Sequence, residues 1–241
     1  MKNNFFQSEI GRVILLLFLI FIFIVPTYLQ ATEKDLYDFL WLDQDKKVYV
    51  LQNKNYKKKN SFYFDVGYSK VINQKFISGK ALALRTGFYF HEEWGVELLY
   101  NTYFNSNNDT FNAVQRVNGS VPFVRKLTGS YGGLLIWSPF YGKINTFNKI
   151  YYFDWSFGLG VGNADFENNL ISAGDENVPD SYDKKSGMAI MIKSNLKFHI
   201  SKHIHLNIEY LNTSYNDRSP SSPKEERRYN SDVTLGLGFS F

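Results

Sequence analysis

The chain has 241 residues, 44% of them hydrophobic and 18% aromatic, no cysteine, and a formal net charge of +4. The length suits one domain, and the lack of cysteine excludes a disulfide scaffold, a thiolate metal site and a lipidated N-terminal cysteine. So mild a charge gives no footprint for a nucleic-acid partner. Mean hydropathy is −0.29, so the apolar residues must be interleaved with polar ones.

Only Val13 to Val25 is continuously apolar, and its 13 residues fall short of the roughly 18 needed for a membrane-spanning helix. Lys2 and Arg12 precede it, and Pro26 and the small Ala31 follow. That is the charged, apolar and cleavage order of a secretory signal peptide, placed at residues 1–31. The leader carries Lys2, Arg12 and Glu9, so the mature chain keeps +3 of the formal charge. Residues 32–60 read as a polar periplasmic segment, with a short helix suggested by Thr32 and Asp35 in capping-box spacing ahead of Leu36, Phe39 and Leu40. The run Lys57-Lys58-Lys59 is expected to be solvated beside a membrane.

From residue 61 the period changes to two, over stretches near the roughly 9–11 residues of a tilted membrane strand. Eight stretches are predicted: 61–69, 81–90, 94–104, 127–138, 149–162, 187–199, 204–213 and a terminal strand, Val233 to Phe241. The fifth is the clearest, with Tyr151, Phe153, Trp155, Phe157, Leu159 and Val161 opposing Tyr152, Asp154, Ser156, Gly158 and Gly160. Every second link is long, with exterior loops expected at 105–126, 163–186 and 214–229 and a periplasmic link at 139–148. Even strand number, short periplasmic turns and longer exterior loops define a bacterial barrel. The fold class is therefore all-β: an antiparallel transmembrane up-and-down β-barrel of eight strands over 61–241, following the signal peptide.

The last eight residues carry Gly236, Phe239 and Phe241 in the spacing of the C-terminal strand by which outer-membrane barrels are recognised for assembly. The strand offers an apolar face to lipid and an edge for pairing. The chain also resembles a bacterial outer-membrane beta-barrel domain family of unassigned activity. The likeness runs from about Val48 to the C-terminus, through Val50-Leu-Gln-Asn53, Trp94-Gly-Val-Glu97, Ser138-Pro-Phe-Tyr-Gly-Lys143 and Phe147-Asn-Lys-Ile150. It implies fold and location and brings no catalytic residues.

An eight-stranded barrel is just wide enough for its side chains to fill, so inward charges need partners. Register from the 91–93 and 200–203 turns sets Arg85 diagonal to Glu97 and Glu209 between Lys193 and Lys197; these five are the candidate luminal ion pairs. The same turns place His199 and His205 face to face near the periplasmic end, where satisfied or hydrated rings are a simpler reading than acid–base chemistry. Asp175 to Asp180 lacks the central glycine and closing glutamate of an EF-hand, and Lys224 to Arg228 mixes its signs. No catalytic, cofactor or metal residue is assigned. The expected function is a non-enzymatic outer-membrane envelope or surface-interaction protein with a filled lumen. Its partners would be outer-membrane lipids, lipopolysaccharide and the barrel-assembly machinery. The alternatives are a narrow passive pore and a lipid-modifying enzyme.

Overall fold

Strands that are apolar on one face and polar on the other can bury neither face alone, and closing into a ring leaves no unpaired edge. A computed structural model shows that closure. It describes residues 54–241 except 120, 147–148, 171–172, 174–180 and 220–221. Residues 1–31, expected to be a signal peptide, residues 32–53 with the Thr32–Asp35 spacing, and the acidic stretch Asp175 to Asp180 lie outside the described residues.

The strands are β1 (Ser61–Val71), β2 (Ile77–Tyr89), β3 (Trp94–Asn107), β4 (Arg125–Thr146), β5 (Lys149–Asn168), β6 (Asp183–His199), β7 (Ile204–Ser219) and β8 (Ser222–Ser240). Each pairs antiparallel with the next, and β8 returns to β1 through Tyr63↔Ser240 to Val71↔Asp232, closing the barrel. Phe62 and Phe241 exchange both backbone hydrogen bonds at the seam, 3.2 and 2.9 Å.

Inside and outside divide by residue type. Phe62, Leu98, Leu159, Leu235 and Leu237 are more than half exposed, whereas Asp65, Arg85, Glu97, Asp154 and Glu209 are buried in the lumen. Such an inside-out barrel is stable only in an apolar solvent. Outward aromatic rings gather at the end where both the N-terminal segment and Phe241 lie. They include Phe62 with Phe88 (4.6 Å), Trp94 with Trp137 (6.0 Å) and Phe140 with Trp155 (5.7 Å). Rings collected at one level form the girdle seen at a membrane interface.

Glycine permits the close approach of β4 and β5. A Cβ on Gly160 would stand 2.0 Å from the Gly133 carbonyl oxygen, and one on Gly162 2.0 Å from that of Tyr131.

The structure corrects several sequence boundaries. No loop spans 214–229: β7 and β8 stay paired from Ile204↔Phe239 to Ser219↔Ser222, so Lys224 to Arg228 lie on a strand. Likewise β4 and β5 pair to Thr146↔Lys149, past bulges near Gly129 and Trp137, leaving no ten-residue periplasmic link. The β7–β8 extension is dense in polar and charged residues and lacks the apolar alternation that marks a membrane strand, and the β4 extension follows bulges that break its register. The link 105–126 contains a helix, α1 (Asp109–Asn118), capped by Asn108, whose side chain accepts from the Phe111 N–H (3.0 Å). Gly119, at φ 61°, ends it in the left-handed conformation. Phe111 packs with Ile77, Val121 and Val124 as a small core beside the end of the barrel opposite Phe241. The lumen is also less uniformly polar than the sequence suggested, because Leu99, Leu127, Leu134, Ile136, Met191 and Leu211 are buried there.

Candidate functional site

The middle of the lumen holds a four-charge cluster. Arg85 lies diagonal to Glu97, since β2 and β3 pair Arg85↔Leu99 and Gly87↔Glu97; Glu209 faces Asn195, between Lys193 and Lys197. Side chains then reach across the barrel in a way that strand neighbours alone do not indicate. Arg85 gives Glu209 its shortest contact, Nη2 to Oε1 at 2.5 Å, and stands 3.9 Å from Glu97. Lys193 bridges both carboxylates, 2.6 Å from Glu97 and 2.8 Å from Glu209. The Tyr63 hydroxyl donates to Glu97 (2.6 Å), and Arg85 donates to the Asn101 side-chain oxygen (2.8 Å). Two cations meet two anions, and their remaining polar valences are met by neutral groups, as charges in a low-dielectric lumen require.

Lys197 does not join this cluster. Its ammonium lies over the face of Tyr63, 4.0 Å from the ring centre, and 6.0 Å from that of Tyr89. Quadrupolar ring faces stabilise a cation at that range.

Towards the end where Phe241 lies, the two histidines pair across β6 and β7, and each is hydrogen-bonded to its own carboxylate. His199 Nε2 lies 2.7 Å from Asp154, and His205 Nε2 lies 2.6 Å from Asp65. The other ring nitrogen of His205 is 3.1 Å from the Ser240 hydroxyl. The residue types Ser–His–Asp thus meet in one chain of hydrogen bonds, which holds a fully buried ring with both nitrogens bonded. Ser194 points outward, accepting from the Trp155 indole at 2.9 Å. Among the described residues no three His, Cys, Asp or Glu side chains are grouped to hold a metal.

The sequence missed the segment that covers this end. Asn60 adopts a left-handed φ of 58°, which lets the chain turn from β1 back beneath the barrel. Lys58, expected to be solvated, is instead buried, its ammonium 2.6 Å from both Asp154 and the Ser138 hydroxyl. Burial pushes that ammonium below its ordinary pKa, against the pull of Asp154. Tyr56 stacks on His199 (4.3 Å, 8°), and the Asn55 side chain donates to the Tyr152 hydroxyl (2.7 Å). Glu92, in the turn between β2 and β3, binds Lys54 (2.9 Å) and the backbone N–H groups of Lys58 and Lys59. Partial burial would raise the Glu92 carboxyl, but these donors outweigh it and hold the group below its ordinary value. Asp154 and Glu92 were both in view in the sequence. A lysine run alone does not show which member turns inward.

At the opposite end Asp217 gathers Arg125, Lys185 (3.7 Å) and the Asn168 side chain (3.0 Å). Asp232 accepts from the Tyr103 hydroxyl (2.5 Å) and the Asn230 side chain (2.7 Å). The lumen is thus bonded in tiers along its length.

No family model matches the chain, and no curated protein matches it. Solved structures similar to it include small outer-membrane barrels. Ail, the attachment invasion locus protein of Yersinia pestis, is 13% identical, with 76% of this chain and 99% of that one covered and a TM-score of 0.41. OprG of Pseudomonas aeruginosa is 16% identical, covering 77% and 98%, with a TM-score of 0.45. Neisserial surface protein A is 12% identical, covering 75% and 96%, with a TM-score of 0.42. The eight-stranded assignment rests on the strand pairing of this chain itself.

Proposed function

We propose that the protein is an exported outer-membrane β-barrel that does not conduct, and that it serves the envelope as a non-enzymatic scaffold. One observation carries this reading: Arg85, Glu97, Lys193 and Glu209 are each only 3–4% exposed at mid-lumen. Ions would have to break a satisfied charge cluster to pass, which is costly in a low-dielectric interior. Lys58, Tyr56 and Asn55 at the periplasmic mouth support the same conclusion. The apolar outer band and aromatic girdle suit outer-membrane lipid. Gly236, Phe239 and Phe241 form the strand offered to the barrel-assembly machinery, and residues 1–31 are the signal peptide that brings the chain there. The exterior end, with α1 and the β7–β8 extension, is the surface through which lipopolysaccharide or another envelope component would be met.

The deciding experiment is single-channel recording on refolded protein in planar bilayers. A flat trace is expected at neutral pH. Discrete unit steps, reproducible and abolished by heat denaturation, would replace this reading with the narrow pore.

A further inference from the structure

We infer that the periplasmic mouth holds a binding site for a small phosphate-class anion. A cavity of about 240 Å³ opens there between the N-terminal segment and the barrel wall. It is lined by Lys57, Lys58, Lys197, Lys202, His199 and His203, together with tyrosine rings and the hydroxyl residues Ser61 and Ser240, and by no carboxylate. The volume is below the roughly 300 Å³ at which ordinary ligand pockets begin, so it suits a headgroup-sized ion and excludes an acyl chain.

Lys197 provides the second, independent observation. It is 4% exposed, and among the described residues its ammonium has no hydrogen bond and no carboxylate within ion-pair distance; the rings of Tyr63 and Tyr89 lie against it, while the charges of Asp65 and Asp154 reach it only from farther off. The carboxylates behind the wall make their hydrogen bonds elsewhere, Asp65 to His205 and Asp154 to His199 and Lys58. A buried ammonium with unused donors facing a cavity is incomplete without an acceptor. At the rim Lys57 and Lys202 are exposed and likewise lack a carboxylate partner among the described residues. Several cations converging on one concave space raise the local anion concentration, and three ammonium donors match the oxygens of a phosphate. Lys58 adds a third N–H donor beyond its bonds to Asp154 and Ser138.

Free phosphate, a phosphomonoester and the phosphate of an inner-leaflet phospholipid share this chemistry, and the test separates them. Inorganic phosphate is titrated into the refolded mature chain in zwitterionic detergent at constant ionic strength, and binding is read by phosphorus NMR line width. In parallel, the temperature at which the folded gel band is lost is compared in nanodiscs of phosphatidylcholine with and without phosphatidylglycerol. Saturable phosphate binding is expected, about tenfold or more weaker in Lys197→Gln and retained in Lys197→Arg. The exposed pair Lys57→Gln with Lys202→Gln should also weaken it, which keeps the test decisive if Lys197→Gln fails to fold. If phosphate is inert but phosphatidylglycerol raises the transition in a Lys197-dependent way, the site stands and the lipid headgroup is its ligand. Absence of both effects, or binding that survives in all the glutamine variants, overturns the proposal. Conductance plays no part in this test, so its failure would leave the scaffold reading intact.

Discussion

Replacing Glu209 by alanine removes one anion from a buried cluster of two cations and two anions. Glu209 accepts from Arg85 Nη2 at 2.5 Å and Nε at 3.2 Å, and from Lys193 at 2.8 Å. After the substitution Lys193 keeps Glu97 at 2.6 Å, but Arg85 retains only that same carboxylate at 3.9 Å, the Asn101 side chain and the Leu84 and Tyr100 carbonyls. One guanidinium is thus left without its closest anion, at a cost of about 3–5 kcal/mol. Glu97→Ala should weaken the barrel in the same way. Replacing Arg85 by methionine in the Glu209→Ala background removes the orphaned cation and leaves the Glu97–Lys193 pair whole, so the double variant should recover part of the loss, with a coupling of about 1–3 kcal/mol. Urea midpoints of protein refolded into lipid vesicles, followed by tryptophan fluorescence and by heat-modifiable gel mobility, give all four corners of the cycle. A Glu209→Ala barrel that unfolds with the wild type, or a double variant as unstable as the two losses added, would refute the cluster as the brace of the lumen.

The remaining expectations concern the cover and the strand packing. Glu92 titrates below its ordinary value when the N-terminal segment is docked, so the docked state binds fewer protons. Its contribution is therefore complete above about pH 4.5 and is lost as pH falls through the lowered value. Because the chain has no cysteine, a spin label at Lys57→Cys reports this cleanly. Its mobility should rise in acid, and at neutral pH in a Glu92→Gln background; an immobile label in both would break the link between Glu92 and docking. Gly160→Ala and Gly162→Ala each place a methyl group 2.0 Å from a neighbouring carbonyl oxygen, whereas Gly187→Ala meets nothing nearer than 3.7 Å. The first two should lose about 1–3 kcal/mol or fail to assemble, and Gly187→Ala should fold as the wild type by gel mobility. Equal behaviour of the three would show that β4 and β5 do not need their close approach.

Alternation was enough to reveal the number of strands, their order and which faces look outward. Each of these is a local consequence of a side-chain period of two, and the short turns at 91–93 and 200–203 fixed register for the pairs beside them. Where alternation lost its purpose it lost its signal. The β7–β8 extension read as a loop, and α1 went unseen because Phe111 alone of its apolar residues is buried, in a small core with Ile77 of β2 and Val121 and Val124 before β4, while Val117 is exposed. Charged residue types at inward positions marked Arg85, Glu97, Lys193, Lys197 and Glu209 from sequence alone.

Their pairing could not be read that way. Curvature brings β2 opposite β7 and β3 opposite β6, so Arg85 meets Glu209 and Lys193 meets Glu97 across separations of 124 and 96 residues. The same closure separates Lys197 from Glu209 and sets it over Tyr63, and it turns one lysine of a basic run inward to meet Asp154. Side-chain period is written along each strand, so the sequence by itself determined the wall of this barrel. Contacts through the lumen exist only once that wall has closed, and only the tertiary structure decided which charges meet.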